Sequence, residues 1–517
     1  MKKTLVIEQK YANSVLNIVL DTLKHRKQAL VFVSSKSSAE AEADRLAAKV
    51  KVQGEEKEKL AEVSEQIINA LEKPTKQCRR LADCAAQGIA FHHAGLHSKQ
   101  REIIEDKFKD GTIKVICATP TLAYGLNLPA FRVIVRDLKR FSPPRGMGWI
   151  PVLEFLQFCG RAGRPDFNEQ YGEAICIAET TPEKEEIFDH YINGEPEDIL
   201  SKLAVEPILR TYVLSLVASS FCNSIDSLME FFERTFYAHQ FQNTEKLEEI
   251  IGRILRYLAE WGFIIAGDGK IRATLLGERV SQLYLDPYTA NYLITCMKRS
   301  DERTVRDFSL LQMISFTLEL RPLLTVKASE YDIIQEKMLE FSSNTLSLEP
   351  SMFDPEYEDY LKSVKTALFM LDWINEAEEE SLLEAYNVRP GEIKAKLDLA
   401  DWLLYSSQEL AKLSKVPGII KEIEKARVRL KHGAKEELLP LLKFEGIGRI
   451  RARKMHNNKI RDVEDVKSVD LQTLSSLLGK AVALSVKKQV GQHLDEKDVL
   501  VPKGKRKGQL SLHKYGK

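Results

Sequence analysis

Residues 157–165 read Gln157-Phe158-Cys159-Gly160-Arg161-Ala162-Gly163-Arg164-Pro165. Arg161 and Arg164 stand three apart, and each follows a small residue or glycine that lets the backbone come close to a ligand. Two guanidinium forks at this spacing suit a polyphosphate, whose oxygens accept planar paired hydrogen bonds. Charge that builds on a transferring phosphoryl group is stabilised in the same way. A basic surface turn has the same composition, so the string needs its surroundings before it says more. Residues 115–129 supply them: Val115-Ile116-Cys117-Ala118-Thr119-Pro120-Thr121-Leu122-Ala123-Tyr124-Gly125-Leu126-Asn127-Leu128-Pro129. An apolar strand ends in hydroxyl residues, and Pro120 then opens a helix. In open α/β sheets the carboxyl ends of such strands bind ligands. Thr119 and Thr121 offer hydroxyl and backbone donors to a phosphate, and Gly125 allows close approach.

The elements that must position these residues follow from periodicity. Apolar strands at 29–33, 88–92, 113–117, 131–135 and 173–177 alternate with helical patterns, the signature of a parallel α/β sheet over 1–197. Residues 51–73, rich in Glu and Lys, read as a solvated helical insertion. Between the two strings above, 136–151 contains Pro143-Pro144 and two glycines, which mark a protruding turn. Phe141 and Trp149 flank it; each is placed either to stack on a base from the tip or to pack the base of the turn.

These strings, with Ala29-Leu30-Val31-Phe32-Val33-Ser34-Ser35 and Phe91-His92-His93-Ala94-Gly95-Leu96, resemble motifs IV, IVa, V and VI of superfamily II helicases. Order and spacing fit the second RecA-like motor domain, and the nearest likeness is to archaeal Ski-like DNA repair helicases of the HelQ type. The resemblance runs through nearly the whole chain. It implies that ATP lies between two RecA-like domains, with Arg161 and Arg164 reaching its phosphates and Gln157 linking nucleotide to DNA. It further implies that Gly125, Asn127, Gly160 and Gly163 border the nucleotide, that Thr119 and Thr121 grip the strand, and that 136–151 is a duplex-splitting hairpin. Translocation from 3′ to 5′ and a role at stalled replication forks are implied by the family alone.

One departure is large. No Gly-x-x-x-x-Gly-Lys-Ser/Thr string occurs: among the Gly-Lys pairs, those at 269, 479 and 504 are followed by Ile, Ala and Arg. No apolar strand ends in Asp-Glu. The phosphate cradle, its lysine and the Mg2+ carboxylates are therefore expected on a first RecA-like domain supplied in cis or in trans. The chain is read as the C-terminal portion of such a helicase, without ATPase activity on its own.

Beyond the sheet, 198–285 is helical and ends in two short apolar strands around Asp268-Gly269, a hairpin that suggests a winged helix. Residues 286–432 are helical throughout. Within them Pro390-Gly391 opens a helix bearing Lys394, Lys396 and Trp402, which resembles the family's ratchet helix. Trp402 matches its stacking tryptophan, whereas Ala395 stands where the family has an arginine. Trp402 also suits the core of a bundle. Residues 433–500 contain Phe444-Glu445-Gly446-Ile447-Gly448-Arg449-Ile450-Arg451-Ala452-Arg453-Lys454, which resembles a helix-hairpin-helix. There Gly446 and Gly448 present backbone donors to a DNA phosphate, and Arg449, Arg451 and Arg453 add charge. The tail 501–517 has six basic and no acidic residues and is expected to be disordered. Its Gln509-x-x-Leu512-x-x-Tyr515-Gly516 is part of a sliding-clamp peptide pattern, open to a clamp or a single-strand-binding protein.

Composition bounds the rest. The 517 residues carry a net charge of only +1, so nucleic-acid contacts must be local. Seven cysteines form no Cys-x-x-Cys pair, which disfavours zinc, iron–sulfur and disulfide frameworks. No metal ligands are assigned within the chain. No 18-residue apolar run and no signal h-region occur, so no membrane association and a cytoplasmic, nucleoid-associated location are expected. The expected fold is an α/β RecA-like domain followed by mainly α domains. The expected function is an ATP-dependent DNA helicase acting on single-stranded and forked DNA. The alternatives are an RNA helicase of the same branch and a non-enzymatic DNA-binding regulatory protein.

Overall fold

The computed structural model describes residues 6–71, 74–124, 127–142, 146–163, 171–203, 205–241 and 244–492. They form two compact units, one of 1–200 with 379–395, the other of 201–378 with 396–517.

The first unit is built on a five-stranded sheet. Its strands are β1 (Ala29–Phe32), β2 (Ile89–His92), β3 (Val115–Ala118), β4 (Arg132–Val135) and β7 (Glu173–Cys176), in the spatial order β2-β3-β1-β4-β7. All four pairings are parallel, with Ala29 opposite Val115 on one side and Arg132 on the other. The five strands stand where the apolar runs predict them. β1, β2, β3 and β4 are buried along their whole length, which explains why they read as continuous apolar runs rather than alternating ones. Helices α1 (Ser14–Lys24), α2 (Lys36–Ala47), α3 (Glu55–Asn69), α4 (Lys76–Ala85), α5 (Ser98–Lys109) and α6 (Val152–Cys159) complete the core. Side-chain caps start several of them: Asn13 accepts from the Leu16 N–H at 2.7 Å, and Ser35 from Ser38 at 3.1 Å. The Glu- and Lys-rich stretch is α3, and it is not solvated all round. Leu60, Val63 and Ile67, at helical spacing, are buried against the core.

Buried in this unit, the Arg132 guanidinium holds Asp21 at 3.0 Å and Glu173 at 2.6 Å, and donates to the Ile18 carbonyl and the Thr22 hydroxyl. The strands β5 (Lys139–Ser142) and β6 (Gly146–Trp149) pair antiparallel as the expected hairpin, its base closed by Ile150 N–H to the Leu138 carbonyl.

The second unit is helical apart from β8 (Ile264–Gly267) and β9 (Lys270–Ala273), among the described residues. Asp268 and Gly269 at this turn both have positive φ, 51° and 71°, as a tight two-residue hairpin turn requires. Helices span Glu206–Ala218, Thr244–Glu260, Pro287–Lys298, Tyr357–Ile374 and Ile420–His432 among others. Arg210 and Asp286 form a buried two-pronged ion pair, both contacts 2.7 Å. Residues 434–486 carry a separate apolar core that includes Leu441, Ile447, Met455 and Leu474.

Candidate nucleotide cleft and nucleic-acid interface

The parallel strands bring their carboxyl ends to one edge of the sheet, and the segments after β1, β2, β3 and β4 leave from it. Arg161–Gly163 instead lie beside Ala130, just before β4: the Ala130 N–H donates to the Arg161 carbonyl at 2.9 Å and the Gly163 N–H to the Ala130 carbonyl at 2.7 Å. After β1, the Ser34 backbone N–H and hydroxyl donate to one Asp137 carboxylate oxygen at 2.8 and 2.9 Å. After β3, Thr119 precedes a 3-10 turn over Pro120–Leu122, with Thr119 and Thr121 hydroxyls 3.0 Å apart. Thr119 is buried and Thr121 exposed, so Thr121 is the one that presents its hydroxyl to solvent. Asn127 is also exposed; Gly125 lies outside the described residues.

Ala123, Tyr124, Gln157, Gly160 and Arg161 line an open cleft of about 490 Å3. Gln157 is on α6 and Arg161 just past its end, where the Gly160 N–H bonds the Leu156 carbonyl at 2.8 Å. One Arg161 Nη donates to the Ala123 carbonyl, tying the two motif strings together. Gln157 Oε1 and Arg161 Nε are buried yet have no hydrogen-bond partner among the described residues. Orphaned groups of this kind are rare in a folded chain and fit a polar ligand with several acceptor and donor atoms. The phosphates of a nucleotide offer Arg161 such acceptors. Among the described residues the cleft lining has no carboxylate, so these residues by themselves do not fit a magnesium ion.

The two glycines of the string differ. Gly163 has φ +102°, a conformation that favours glycine. Gly160 lies at φ −64°, open to any residue, so backbone freedom does not explain it. Arg164, the second expected phosphate contact, lies outside the described residues, as do 493–517 with the clamp-like peptide.

The hairpin separates the two aromatic candidates. Phe141 is 66% exposed on β5, near the turn. Trp149 is at the base. Its ring packs on Tyr191 at 5.8 Å and under the Lys139 ammonium at 4.1 Å, so it braces the hairpin and does not form its tip.

The segment 379–395 packs on the sheet unit. Lys394 lies close enough to His97 that its charge, after burial and Lys99, helps depress the imidazole below its usual value. In the second unit Lys396 Nζ donates to the Pro322 carbonyl at 2.6 Å, so this cation is committed to the backbone. Trp402 is half-buried, and its Nε1–H donates to the Leu283 carbonyl at 3.2 Å.

The basic helix expected after Gly446-Ile447-Gly448 is present over Arg449–Asn457, with Gly448 at its N-cap and Gly446 at φ +80°. Its arginines are not equivalent. Arg449 lies 4.6 Å above the Trp373 ring and donates to the Ala377 carbonyl at 3.2 Å. Arg453 bridges Glu376 and Glu437. Both are drawn inward by acidic and aromatic partners distant in sequence. Arg451, half-buried like the other two, donates instead to a local partner, the Gly446 carbonyl, at 2.7 Å.

Sequence reasoning missed Tyr124 as a cleft residue, although it sits inside the quoted string. It also missed Glu154, one helical turn before Gln157, and the pair Glu40 and Arg389, which no local spacing connects.

A parallel RecA-like sheet flanked by a glutamine–arginine cleft defines a motor domain of the helicase type. Residues 11–166 match the family model "Helicase conserved C-terminal domain", and 308–433 match "Archaeal helicase, domain 4". The chain is 38% identical over 491 residues to the "ATP-dependent DNA helicase Hel308" of Methanocella arvoryzae, covering 93% of this chain and 65% of that one. It is 39% identical over 506 residues to the protein of the same name from Pyrococcus horikoshii, covering 97% of this chain and 68% of that one. With the Pyrococcus abyssi protein the figures are 39%, 96% and 68%. The chain belongs to the Hel308 helicase family and spans about two thirds of the length of these relatives.

Proposed function

We propose that this chain is the second motor domain and DNA-tracking portion of an ATP-dependent DNA helicase of the HelQ type. A first RecA-like domain, in cis or in trans, supplies the phosphate loop and the carboxylates for Mg2+. The observation that carries the reading is the cleft in which Gln157 Oε1 and Arg161 Nε are buried without partners among the described residues. Arg161, with Arg164, would hold the phosphates, and Gln157 would sense their presence. ATP supplies the free energy of hydrolysis. Gly160, Gly163, Gly125 and Asn127 border the nucleotide. Thr121, backed by Thr119, donates to a backbone phosphate of the tracked strand. Phe141 meets the duplex at the hairpin, and Trp402 stacks on an unpaired base.

The name of the relatives supports DNA as the substrate, and the Gly446–Arg453 segment, where Arg451 donates only to a nearby backbone carbonyl among the described residues, supports it further. Movement from 3′ to 5′ and work on stalled forks at the nucleoid rest on the family resemblance. Residues 198–285 would form a winged helix, 286–432 the ratchet bundle and 433–500 a helix-hairpin-helix, with the tail free for a clamp or single-strand-binding protein. A non-enzymatic DNA-binding role is the second reading, which the same test separates from the first.

The test compares ATP hydrolysis by the chain alone with hydrolysis after adding the portion of the Pyrococcus horikoshii relative that it does not match. The chain alone should be inactive. The mixture should show DNA-stimulated hydrolysis that Arg161→Ala abolishes. Hydrolysis by the chain alone overturns the claim of a divided site; an inactive mixture that still binds forked DNA favours the non-enzymatic reading.

A further inference from the structure

The hairpin is fastened to the same helix that carries the cleft. Arg140 on β5 grips the Glu154 carboxylate with both prongs, Nη1 to Oε1 at 2.9 Å and Nη2 to Oε2 at 3.2 Å. Glu154 is 6% exposed and sits on α6 one turn before Gln157. A buried carboxylate is costly unless both oxygens are satisfied, so this pair holds β5 in one position on α6. The second strand is fastened independently. The Tyr191 hydroxyl donates to the Ile150 carbonyl at 2.8 Å and lies 3.2 Å from that of Leu138, closing the hairpin base. The Tyr191 ring packs on Phe155 of α6 at 4.6 Å and on Trp149 of β6. The N-terminus of α6 is itself fixed, since Glu197 accepts from the Val152 and Leu153 N–H groups at 2.6 and 3.2 Å. From the cleft side, the Tyr124 phenol is raised above its ordinary value by burial and by the Glu154 charge.

A rigid eight-residue helix thus has Gln157 at the cleft and Glu154 at the hairpin, about 4.5 Å apart along its axis at 1.5 Å per residue. Any shift of α6 that follows from filling the cleft must move β5 and the exposed Phe141 beside Arg140. We propose that Glu154 is a positioning residue that couples the nucleotide cleft to the duplex-splitting hairpin through Arg140. The inference rests on the helicase reading above.

The test uses the full chain completed by the relative's first portion. Glu154→Gln keeps the shape but removes the charge that binds Arg140. Fork unwinding should fall at least fivefold while DNA-stimulated ATP hydrolysis stays within twofold. The exchanged pair, Arg140→Glu with Glu154→Arg, should restore unwinding to at least half of the starting value. Equal loss of both activities, or no loss of either, overturns the proposal. If the completed enzyme proves inactive, the helicase reading fails separately, and the coupling is decided in the chain alone by amide hydrogen exchange of β5 and β6. Gln157→Ala should change that exchange at least twofold in the parent chain and not in the Glu154→Gln background. An unchanged exchange in the parent chain overturns the coupling.

Discussion

Gly391 donates its N–H to the Gly95 carbonyl at 3.0 Å, joining residues 296 positions apart in the chain at a place where neither has room for a side chain. A Cβ on Gly391 would lie 2.3 Å from the Ala94 carbonyl oxygen and 2.4 Å from that of Leu96. A Cβ on Gly95 would meet Arg389 Cδ at 2.5 Å. Both glycines are explained by close approach rather than by backbone conformation. Gly391→Ala should therefore destabilise the sheet unit by about 1–3 kcal/mol, the usual cost of overpacking against backbone. Gly95→Ala should cost less, because part of Arg389 can swing away. Urea unfolding followed by circular dichroism reads both. A midpoint unmoved by Gly391→Ala would mean that 379–395 does not pack there in solution.

Glu40 makes the same junction sensitive to acid. Burial pushes its carboxyl up, but hydrogen bonds from His93 and Gln77 and the charge of Arg389 more than offset this and leave it at about 2. A carboxylate whose folded value lies below its unfolded 4.5 contributes stability above that value and loses it as pH falls toward 2. His93 works in the same direction from a higher pH. Burial lowers its folded value below 6.5, so its contribution is complete above 6.5 and declines as the imidazole is forced to protonate. Melting temperature plotted against pH should fall steeply below pH 4.5, and Glu40→Gln should flatten that limb. An equally steep limb in Glu40→Gln would assign the acid response elsewhere.

The three arginines after Gly448 should separate by phenotype. Arg451→Ala should weaken binding to a labelled duplex and reduce the salt slope of log K by ~1, as loss of one phosphate contact does. Arg453→Ala should leave that slope alone and lower stability by about 1 kcal/mol, since its partners Glu376 and Glu437 are partly screened. The reverse pattern would place Arg453, rather than Arg451, on the DNA.

For Trp402 the question is whether the indole acts through its face or its edge. Base stacking is worth ~1–3 kcal/mol, so Trp402→Ala should lower affinity for a single-stranded oligonucleotide about 5- to 150-fold. Trp402→Phe keeps a stacking face and loses only the Nε1–H bond to Leu283. It should stay within about threefold of the parent in anisotropy titrations. If Phe is as damaging as Ala, the residue matters as packing and not as a stacking platform.

The sheet was legible in the sequence because a strand buried on both faces must be apolar throughout. The runs at 29–33, 88–92, 113–117, 131–135 and 173–177 leave no other assignment, and all five strands stand there. Asp268-Gly269 was legible because two successive positive φ angles demand such residues. That Gln157 and Arg161 line one cleft was legible because motif strings are local: residues four apart at one helix end lie close together.

What the sequence could not determine is which polar side chains are free to act. Arg449, Arg451 and Arg453 look alike in one dimension. Trp373, Ala377, Glu376 and Glu437 occupy two of them, and only the fold brings those partners near. Lys396 is spent in the same way on the Pro322 carbonyl. Phe141 and Trp149 are equivalent candidates until the hairpin register puts one near the turn and the other at the base. Gly95 finds Gly391, and Arg140 finds Glu154, through packing that no spacing rule encodes. Residue type limits what a side chain is able to do. Its neighbours in three dimensions, by occupying or burying its polar atoms, decide whether it does so.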